Sequence, residues 1–215
     1  MKRVLFFAAV MMAISASANG LSYPYENPNV FEQNREPMRS SFIVYPSVAE
    51  VQSGCEVASP LYRSIDGVWK FLWLENVLTP NPVNFAAVNY DDSSWKTMPI
   101  PGMWELNGYG DPVYRNVGWA WEGQYIKNPP IPADWHNYAG QYRRTFNIDQ
   151  SWSGKDIFLH IGSATSNVRV WVNGKEVGYS EDSKLEARFD ITKYVKQGEN
   201  LIALEIFRWC DGTYL

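Results

Sequence analysis

Side chains of opposite character alternate with a period of two residues along several separate stretches of this chain. In the first stretch, Trp69, Phe71 and Trp73 fall on one side. The pattern returns at 141–148, 155–161, 168–172 and 201–207. Because successive side chains of a β-strand point to opposite faces, this period predicts half-buried antiparallel strands.

Turn residues separate these stretches from one another. Asn173-Gly174 lies between 168–172 and 175–179, and Asn-Gly favours the type I′ turn of a tight hairpin. A Gln-Gly-Glu-Asn run at 197–200 separates the short segment 191–196 from the last strand. No stretch shows sustained helical periodicity. The sequence therefore predicts an all-β fold, a two-sheet β-sandwich of the jelly-roll type.

The N-terminus has the pattern of a secretory signal peptide. Lys2 and Arg3 precede an apolar run at 4–14, and Ala16-Ser17-Ala18 is typical of a cleavage site. We therefore expect residues 1–18 to be removed and the protein to be exported, to the periplasm or outside the cell. Residues 19–59 are polar and irregular and are predicted to be extended. Residues 60–215 are long enough for one domain with its own core.

Charge and cysteine content restrict the partners and the metal chemistry. The formal net charge is −4, which disfavours a nucleic acid as the partner. After the leader, no segment is apolar for long enough to span a membrane. Cys55 and Cys210 either form a disulfide, which an exported chain permits, or are two small buried apolar residues. No Cys/His spacing indicates zinc.

Aromatic residues are concentrated between strands, in a region rich in glycine and proline. They are Trp104, Tyr109, Tyr114, Trp119, Trp121, Tyr125, Trp135, Tyr138 and Tyr142. With nearby amide and charged side chains, such rings suit a sugar, whose apolar face packs on an aromatic ring. The alternative is that the rings form the internal packing of a long loop.

The sequence gives no clear catalytic group. Glycoside hydrolysis generally requires two carboxyl groups that face each other across the bond, and no such pair stands out. Asp91-Asp92 is interpreted as a turn before Trp95, and Glu181-Asp182 as a solvated loop. No catalytic residue is therefore assigned within this chain.

Several ordered motifs together resemble one enzyme family. They are Pro101-Gly102-Met103-Trp104-Glu105-Leu106-Asn107-Gly108-Tyr109-Gly110, Pro112-Val113-Tyr114-Arg115-Asn116-Val117, Tyr142-Arg143-Arg144-Thr145-Phe146, Val170-Trp171-Val172-Asn173-Gly174-Lys175-Glu176-Val177-Gly178-Tyr179-Ser180, Phe189-Asp190-Ile191-Thr192 and Arg208-Trp209-Cys210-Asp211-Gly212-Thr213-Tyr214-Leu215. They resemble the N-terminal, galactose-binding-domain-like jelly roll of glycoside hydrolase family 2, specifically of large β-galactosidases.

This resemblance implies a multidomain enzyme. In the family, the jelly roll packs on an immunoglobulin-like domain and a (β/α)₈ barrel. The barrel carries the two glutamates of a retaining mechanism that releases terminal non-reducing β-D-galactose from β-galactosides. Full-length members commonly self-associate, so a homo-oligomer is expected, together with contacts to the remaining domains of the same enzyme.

The resemblance also assigns two binding residues. Asn116 matches an Asn, and Asp211 an Asp, that line the galactose pocket in similar enzymes. The Asp also lies beside a bound sodium ion, so Asp211 is implied as a sodium ligand whose partners lie outside this chain. Sodium and magnesium are the metals expected for the full-length enzyme. An amide both donates and accepts, and a carboxylate accepts only, which suits these roles.

Three hypotheses follow for the chain as a whole, one of which is a structural interaction domain. The first is that it is the carbohydrate-binding part of a β-galactosidase whose catalytic barrel lies beyond Leu215, so that the chain alone does not hydrolyse. The alternative is a free-standing carbohydrate-binding module without catalysis. An Asp-Gly turn directly after the last strand, close to residue 215, favours the first.

Overall fold

The computed structural model describes residues 24–52, 59–76, 84–113, 116, 118, 132 and 136–214. The strands within them are β1 (Glu32–Gln33), β2 (Gly67–Leu74), β3 (Lys96–Ile100), β4 (Ala139–Ile148), β5 (Phe158–Ile161), β6 (Val168–Val172), β7 (Lys175–Ser180), β8 (Ala187–Asp190) and β9 (Gly198–Phe207). Two short helices are α1 (Val48–Gln52) and α2 (Asp211–Tyr214). Single 3-10 turns occupy Pro24–Glu26, Glu105–Asn107 and Gln150–Trp152.

Seven of these strands form one sheet, in the order β1-β7-β6-β9-β4-β2-β3, and its neighbouring strands are antiparallel. The ladder between β4 and β9 runs from Ala139 opposite Phe207 to Ile148 opposite Gly198. These two strands therefore form the centre of the sheet. Both reach the same end, where Phe207 leads into the segment that carries Asp211.

The second sheet is small and closes the core. Strands β5 and β8 pair antiparallel, and their Leu159 and Phe189 belong to the same buried cluster as Val170, Val177 and Ile202 of the large sheet. Packing of two sheet faces around one apolar core defines a β-sandwich. The chain is therefore an all-β sandwich, which confirms the prediction made from the alternation.

The predicted Asn-Gly hairpin is confirmed. Asn173 and Gly174 have φ angles of 52° and 79°, as a type I′ turn requires at both central positions. The Asn173 side chain also donates to the Tyr194 carbonyl at 2.9 Å and accepts from the Leu201 amide at 3.0 Å. The turn is thus held against the start of β9 rather than extending freely into solvent.

Some boundaries differ from the sequence prediction. The last strand begins at Gly198, within the run interpreted as a turn, because residues 198–200 pair with the end of β4. Strand β5 begins at Phe158 rather than near Lys155. The short helix α2 replaces the Asp-Gly turn expected at Asp211. The earlier start of β9 arises from a pairing partner that is distant in sequence.

Residues 24–52, here called the N-terminal arm, contribute β1 to one edge of the large sheet. Residues of β1 pair with Tyr179 and Ser180 of β7, and the Glu36 amide donates to the Arg188 carbonyl at 2.8 Å. Gly178 permits this approach, because a Cβ there would lie 2.3 Å from the Gln33 carbonyl oxygen. The arm contains β1, α1 and the 3-10 turn at Pro24–Glu26.

Other predictions about the chain lie partly outside the described residues. The signal peptide at 1–18 and Cys55 both fall there, so export and the Cys55–Cys210 disulfide stay predictions. Cys210 itself is buried. Within the described ranges, no helix has the length and hydropathy that crossing a membrane requires.

Candidate functional site

The segment that follows β9 carries Asp211 into the interior of the protein. The Arg208 amide donates to the Tyr138 carbonyl at 2.8 Å, which extends the β4–β9 ladder past the end of the sheet. Asn137 then holds Trp209 through two hydrogen bonds. Asp211 begins α2 with 0% of its surface exposed. An acidic side chain is therefore buried at the end of the central strand pair.

A second carboxyl group lies beside Asp211. Glu181 directly follows β7 and is only 6% exposed. Its amide donates to the Phe31 carbonyl of the N-terminal arm at 3.1 Å, and the Tyr179 hydroxyl donates to its carboxylate at 2.9 Å. The interpretation of Glu181-Asp182 as a solvated loop is wrong for Glu181. Val177, Tyr179 and Glu181 alternate along one face of the chain, a signal that could have revealed its burial.

Glu181, Cys210 and Asp211 form a compact cluster. One carboxylate oxygen of each acid and the Cys210 Sγ all lie within 4.8 Å of one another. Neither Asp211 carboxylate oxygen has a hydrogen-bond partner among the described residues. A buried carboxylate without a partner is costly, so this position is suited to a group that neutralises it.

Burial and mutual proximity shift the proton affinities of this cluster. Burial, followed by the neighbouring Asp211 carboxyl, raises the pKa of Glu181 to about 8. Burial also raises the pKa of Asp211 and the pKa of the Cys210 thiol, in the latter case to about 11. Each shift disfavours added negative charge. At neutral pH the cluster therefore holds less negative charge than its two acids would carry in water.

The residues present fit a hard cation better than a soft one. Carboxylate oxygens are the ligands that hard cations prefer, and the two Asp211 oxygens are buried and available. In the absence of a metal the Cys210 thiol is protonated at neutral pH, because burial raises its pKa to about 11, so the two carboxyl groups are the main donors of the cluster. The cluster supplies only part of a coordination shell, so other ligands would have to come from other groups.

A cleft opens next to this cluster. It has a volume of about 430 Å³ and is lined by Pro28, Phe31, Glu181, Asp182, Ser183, Leu185 and Gly212. Phe31 and Leu185 are more than half exposed. The cleft thus combines an acidic side with an apolar side, which is a surface that the CH and OH faces of a sugar can both contact.

Asn116, the other predicted sugar ligand, lies at an exposed bend. Among the described residues, no hydrogen bond connects it to Asp211, so the structure does not show the two side chains meeting. Tyr114, Arg115 and Val117 of the same motif lie outside the described residues.

Four of the clustered aromatic residues pack internally. Trp104 and Tyr142 are buried and joined by a hydrogen bond from the Trp104 indole to the Tyr142 hydroxyl. Tyr109 packs edge-on against Phe71 with ring centroids 4.9 Å apart, and Tyr138 contacts Trp73 at 4.9 Å. For this group the packing alternative is correct, although Tyr138 also has an exposed side. Tyr114, Trp119, Trp121, Tyr125 and Trp135 lie outside the described residues.

Comparison with known proteins gives one consistent result. Residues 62–215 match the family model "Glycosyl hydrolases family 2, sugar binding domain". A β-galactosidase of Priestia megaterium is 36% identical over 201 residues, which are 94% of this chain and 19% of that protein. A β-galactosidase of Lactobacillus delbrueckii subsp. bulgaricus is 35% identical over 190 residues, 88% of this chain and 18% of that protein.

Among solved structures, that of Bacteroides uniformis β-glucuronidase has a TM-score of 0.49 and 23% identity, over 68% of this chain and 14% of that one. The chain spans only 18–19% of the length of the curated β-galactosidases named above. The family model, by contrast, covers most of this chain. The protein therefore belongs to glycosyl hydrolase family 2, and residues 62–215 form its sugar-binding domain.

Proposed function

We propose that this chain is the N-terminal carbohydrate-binding part of a β-galactosidase, and that catalytic carboxylates supplied by further domains perform retaining hydrolysis of terminal β-D-galactose. The observation that carries this proposal is the 33–36% identity to β-galactosidases over most of the chain. The chain contributes sugar contacts, with Asp211 and Asn116 as the ligands assigned by motif. The buried, unsatisfied Asp211 carboxylate supports its part in a site completed by other groups.

We also propose that Asp211 holds a sodium ion, with Glu181 as a second oxygen donor. The cation would neutralise the two clustered carboxyl groups, which burial alone cannot stabilise in their charged form. It would also fix the direction of the Asp211 carboxylate toward a sugar hydroxyl. Magnesium is proposed only for the complete enzyme, because the described residues contain no other group of three candidate ligands.

Three further features remain part of this proposal. The leader at 1–18 supports export to the periplasm or the medium. The remaining domains of the enzyme are proposed as the partners that cover the Asp211 end of the sandwich. Self-association of the complete protein is proposed from the family resemblance alone.

The test compares the chain with its longer form. The complete reading frame and the 215-residue chain would be purified and assayed with an aryl β-galactoside, and with an aryl β-glucuronide as the matched substrate. Hydrolysis of the galactoside by the longer protein, and none by the short chain, is expected. Preference for the glucuronide, or turnover by the short chain, would contradict the proposal.

In the longer protein, Asp211→Asn should lower kcat/KM for the galactoside about a hundredfold, by analogy with the loss of one charged hydrogen bond at a transition state. Asp156→Asn, at an exposed position, serves as the matched control. A free-standing module would instead bind galactose as tightly in the short chain as in the longer protein.

A further inference from the structure

A second cavity is lined by residues at and just after the end of β2 and by residues that precede β4. It has a volume of about 500 Å³, and its lining includes Trp73, Glu75, Asn76, Asp111, His136 and Tyr138. Gly110 brings the loop close to the rings, since a Cβ there would lie 3.0 Å from Tyr138 and 3.2 Å from Trp73. We call this cavity the Trp73 groove.

Aromatic rings form a rigid wall of the groove. The Trp73 ring contacts Tyr138 at 4.9 Å, Trp104 at 5.0 Å and Tyr109 at 5.5 Å between centroids. Trp73 is half-buried in this group, so its remaining surface is held in one orientation. A ring fixed in this way offers apolar contact area without losing side-chain freedom when a ligand binds.

The polar side of the groove is also fixed in place. The Tyr138 hydroxyl donates to Asp111 Oδ2 at 2.8 Å, and Arg208 Nη2 donates to the Asp111 carbonyl at 3.0 Å. The Arg208 guanidinium lies 5.2 Å from the Tyr138 ring centroid. Asp111 remains exposed, so its carboxylate is oriented by Tyr138 and still accessible to a ligand.

Charge in and beside the groove is predominantly negative. Glu75 and Asp111 both line it, and the Arg208 charge is shared with Glu105 at 3.7 Å. An anionic ligand would therefore meet repulsion that a neutral ligand avoids. Carboxylate and amide oxygens accept hydrogen bonds from hydroxyl groups, and the Asn76 amide can also donate.

The groove and the Asp211 site share their supporting segments. Tyr138 receives the hydrogen bond from the Arg208 amide, and its neighbour Asn137 holds Trp209. A ligand that occupies the groove therefore lies against Tyr138, which is hydrogen-bonded to the segment that leads to Asp211.

We propose that the Trp73 groove is a sugar subsite that accepts a neutral pyranose ring of the glycoside and rejects uronic acids. This inference rests on the proposed function and names its substrate class. The ring packs its CH face on Trp73, and its hydroxyl groups donate to Asp111 and Glu75. The Asp111 and Glu75 carboxylates repel the carboxylate of a uronic acid, so the subsite selects a neutral sugar.

The test uses the chain with isotope-labelled tryptophan side chains, so that the Trp73 indole signal reports on the groove. Methyl β-D-galactoside and methyl β-D-glucoside are the neutral probes, and methyl β-D-glucuronide is the anionic one. We expect a neutral glycoside to shift the Trp73 signal and the glucuronide to leave it unchanged. Asp111→Ala should weaken binding about tenfold, and the exposed Asp156→Ala should not change it.

Tyr138→Phe gives a second variant that keeps the aromatic wall and removes only the hydroxyl that orients Asp111. It should weaken binding in the same direction. The proposal is overturned if no neutral glycoside moves the Trp73 signal, if the glucuronide binds equally well, or if neither variant changes binding. Failure of the proposed enzyme function is seen separately, as absent β-galactoside hydrolysis by the longer protein.

Discussion

The Asn137 side chain binds both backbone polar groups of Trp209. Its Nδ2 donates to the Trp209 carbonyl at 3.1 Å, and its Oδ1 accepts from the Trp209 amide at 2.9 Å. Asn137 is fully buried and directly precedes the Tyr138–Arg208 link. Asp211 follows two residues after Trp209. The segment that leads to the buried carboxylate is therefore held by one amide side chain, two residues before β4.

Replacing Asn137 with Ala should lower the free energy of unfolding by about 2 kcal/mol, because two buried backbone groups lose their partners. Urea unfolding measures this change. Asn107→Ala is the matched control, since the exposed Asn107 side chain donates to the Met103 carbonyl; it should change stability by less than about 0.5 kcal/mol. Equal effects of the two variants would show that the Asn137 clamp contributes little.

Sodium should stabilise the chain through Asp211. Thermal unfolding in sodium chloride, compared with an equal ionic strength of a bulky organic cation, should give a higher Tm in sodium. Asp211→Asn should remove this difference, because it removes the charged oxygen donor. A sodium effect that persists in Asp211→Asn would place the ion elsewhere.

The free energy of unfolding should fall as pH rises from the ordinary pKa of Glu181 to its raised value in the folded protein. The pKa of Glu181 is raised from its ordinary value near 4.5 to about 8 by burial and by Asp211. The folded protein therefore binds the proton more tightly than the unfolded chain, and the stabilising contribution is complete below the lower value and lost above the higher one. In sodium-free buffer, urea unfolding should show this decline.

Glu181→Gln should flatten that pH dependence, because the amide carries no titrating proton. Glu199→Gln, at an exposed position, is the control and should keep the wild-type decline. An unchanged slope in Glu181→Gln would assign the pH dependence to other groups.

Arg143 should be more important for stability than an exposed arginine. Its side chain is 4% exposed and pairs with Asp92 at 2.7 Å, and it also donates to the Phe85 and Ala87 carbonyls. Arg143→Met should cost about 3 kcal/mol in urea unfolding, since it leaves these acceptors buried without a donor. Arg63→Met, whose side chain is 40% exposed and pairs with Asp149, should cost less than about 1 kcal/mol.

Gly178→Ala should detach the N-terminal arm from β7. The added Cβ would lie 2.3 Å from the Gln33 carbonyl oxygen and 2.8 Å from the Phe189 ring, so strand pairing must give way, at a cost of about 3 kcal/mol. Limited proteolysis should then cut the arm faster. Gly162→Ala is the control, because nothing lies within 4 Å of a Cβ there; equal cleavage of both variants would contradict this account.

The sandwich was predictable because its strands alternate locally, and that alternation records burial directly. The hairpin of 168–172 and 175–179 is specified locally, by the alternation of its two strands and by the Asn-Gly turn between them. The strands β1, β3 and β8 are not among the alternating stretches of the sequence. They form because they pair with strands that are distant in sequence, and a local stretch of sequence does not indicate such a partner.

The site was only partly predictable. The motif assigns Asp211 as a sugar ligand, which stays a prediction, and the structure shows that its side chain is buried just after β9. Glu181 was missed although it continues the alternation of Val177 and Tyr179, because the segments that contact it, Phe31 of the N-terminal arm and α2, lie far from it in the sequence. The sequence grouped Trp104 and Tyr142 with possible sugar platforms, but composition alone does not tell a buried ring from an exposed one.

The pairing of β1 with β7 has a consequence for the behaviour of the protein at high concentration. Without Glu32 and Gln33, the backbone groups of Tyr179 and Ser180 would face solvent along an open sheet edge. Such an edge is a template for pairing between copies of a chain. A shortened version that begins after residue 34 should therefore aggregate edge to edge, so the arm protects the sheet against self-assembly.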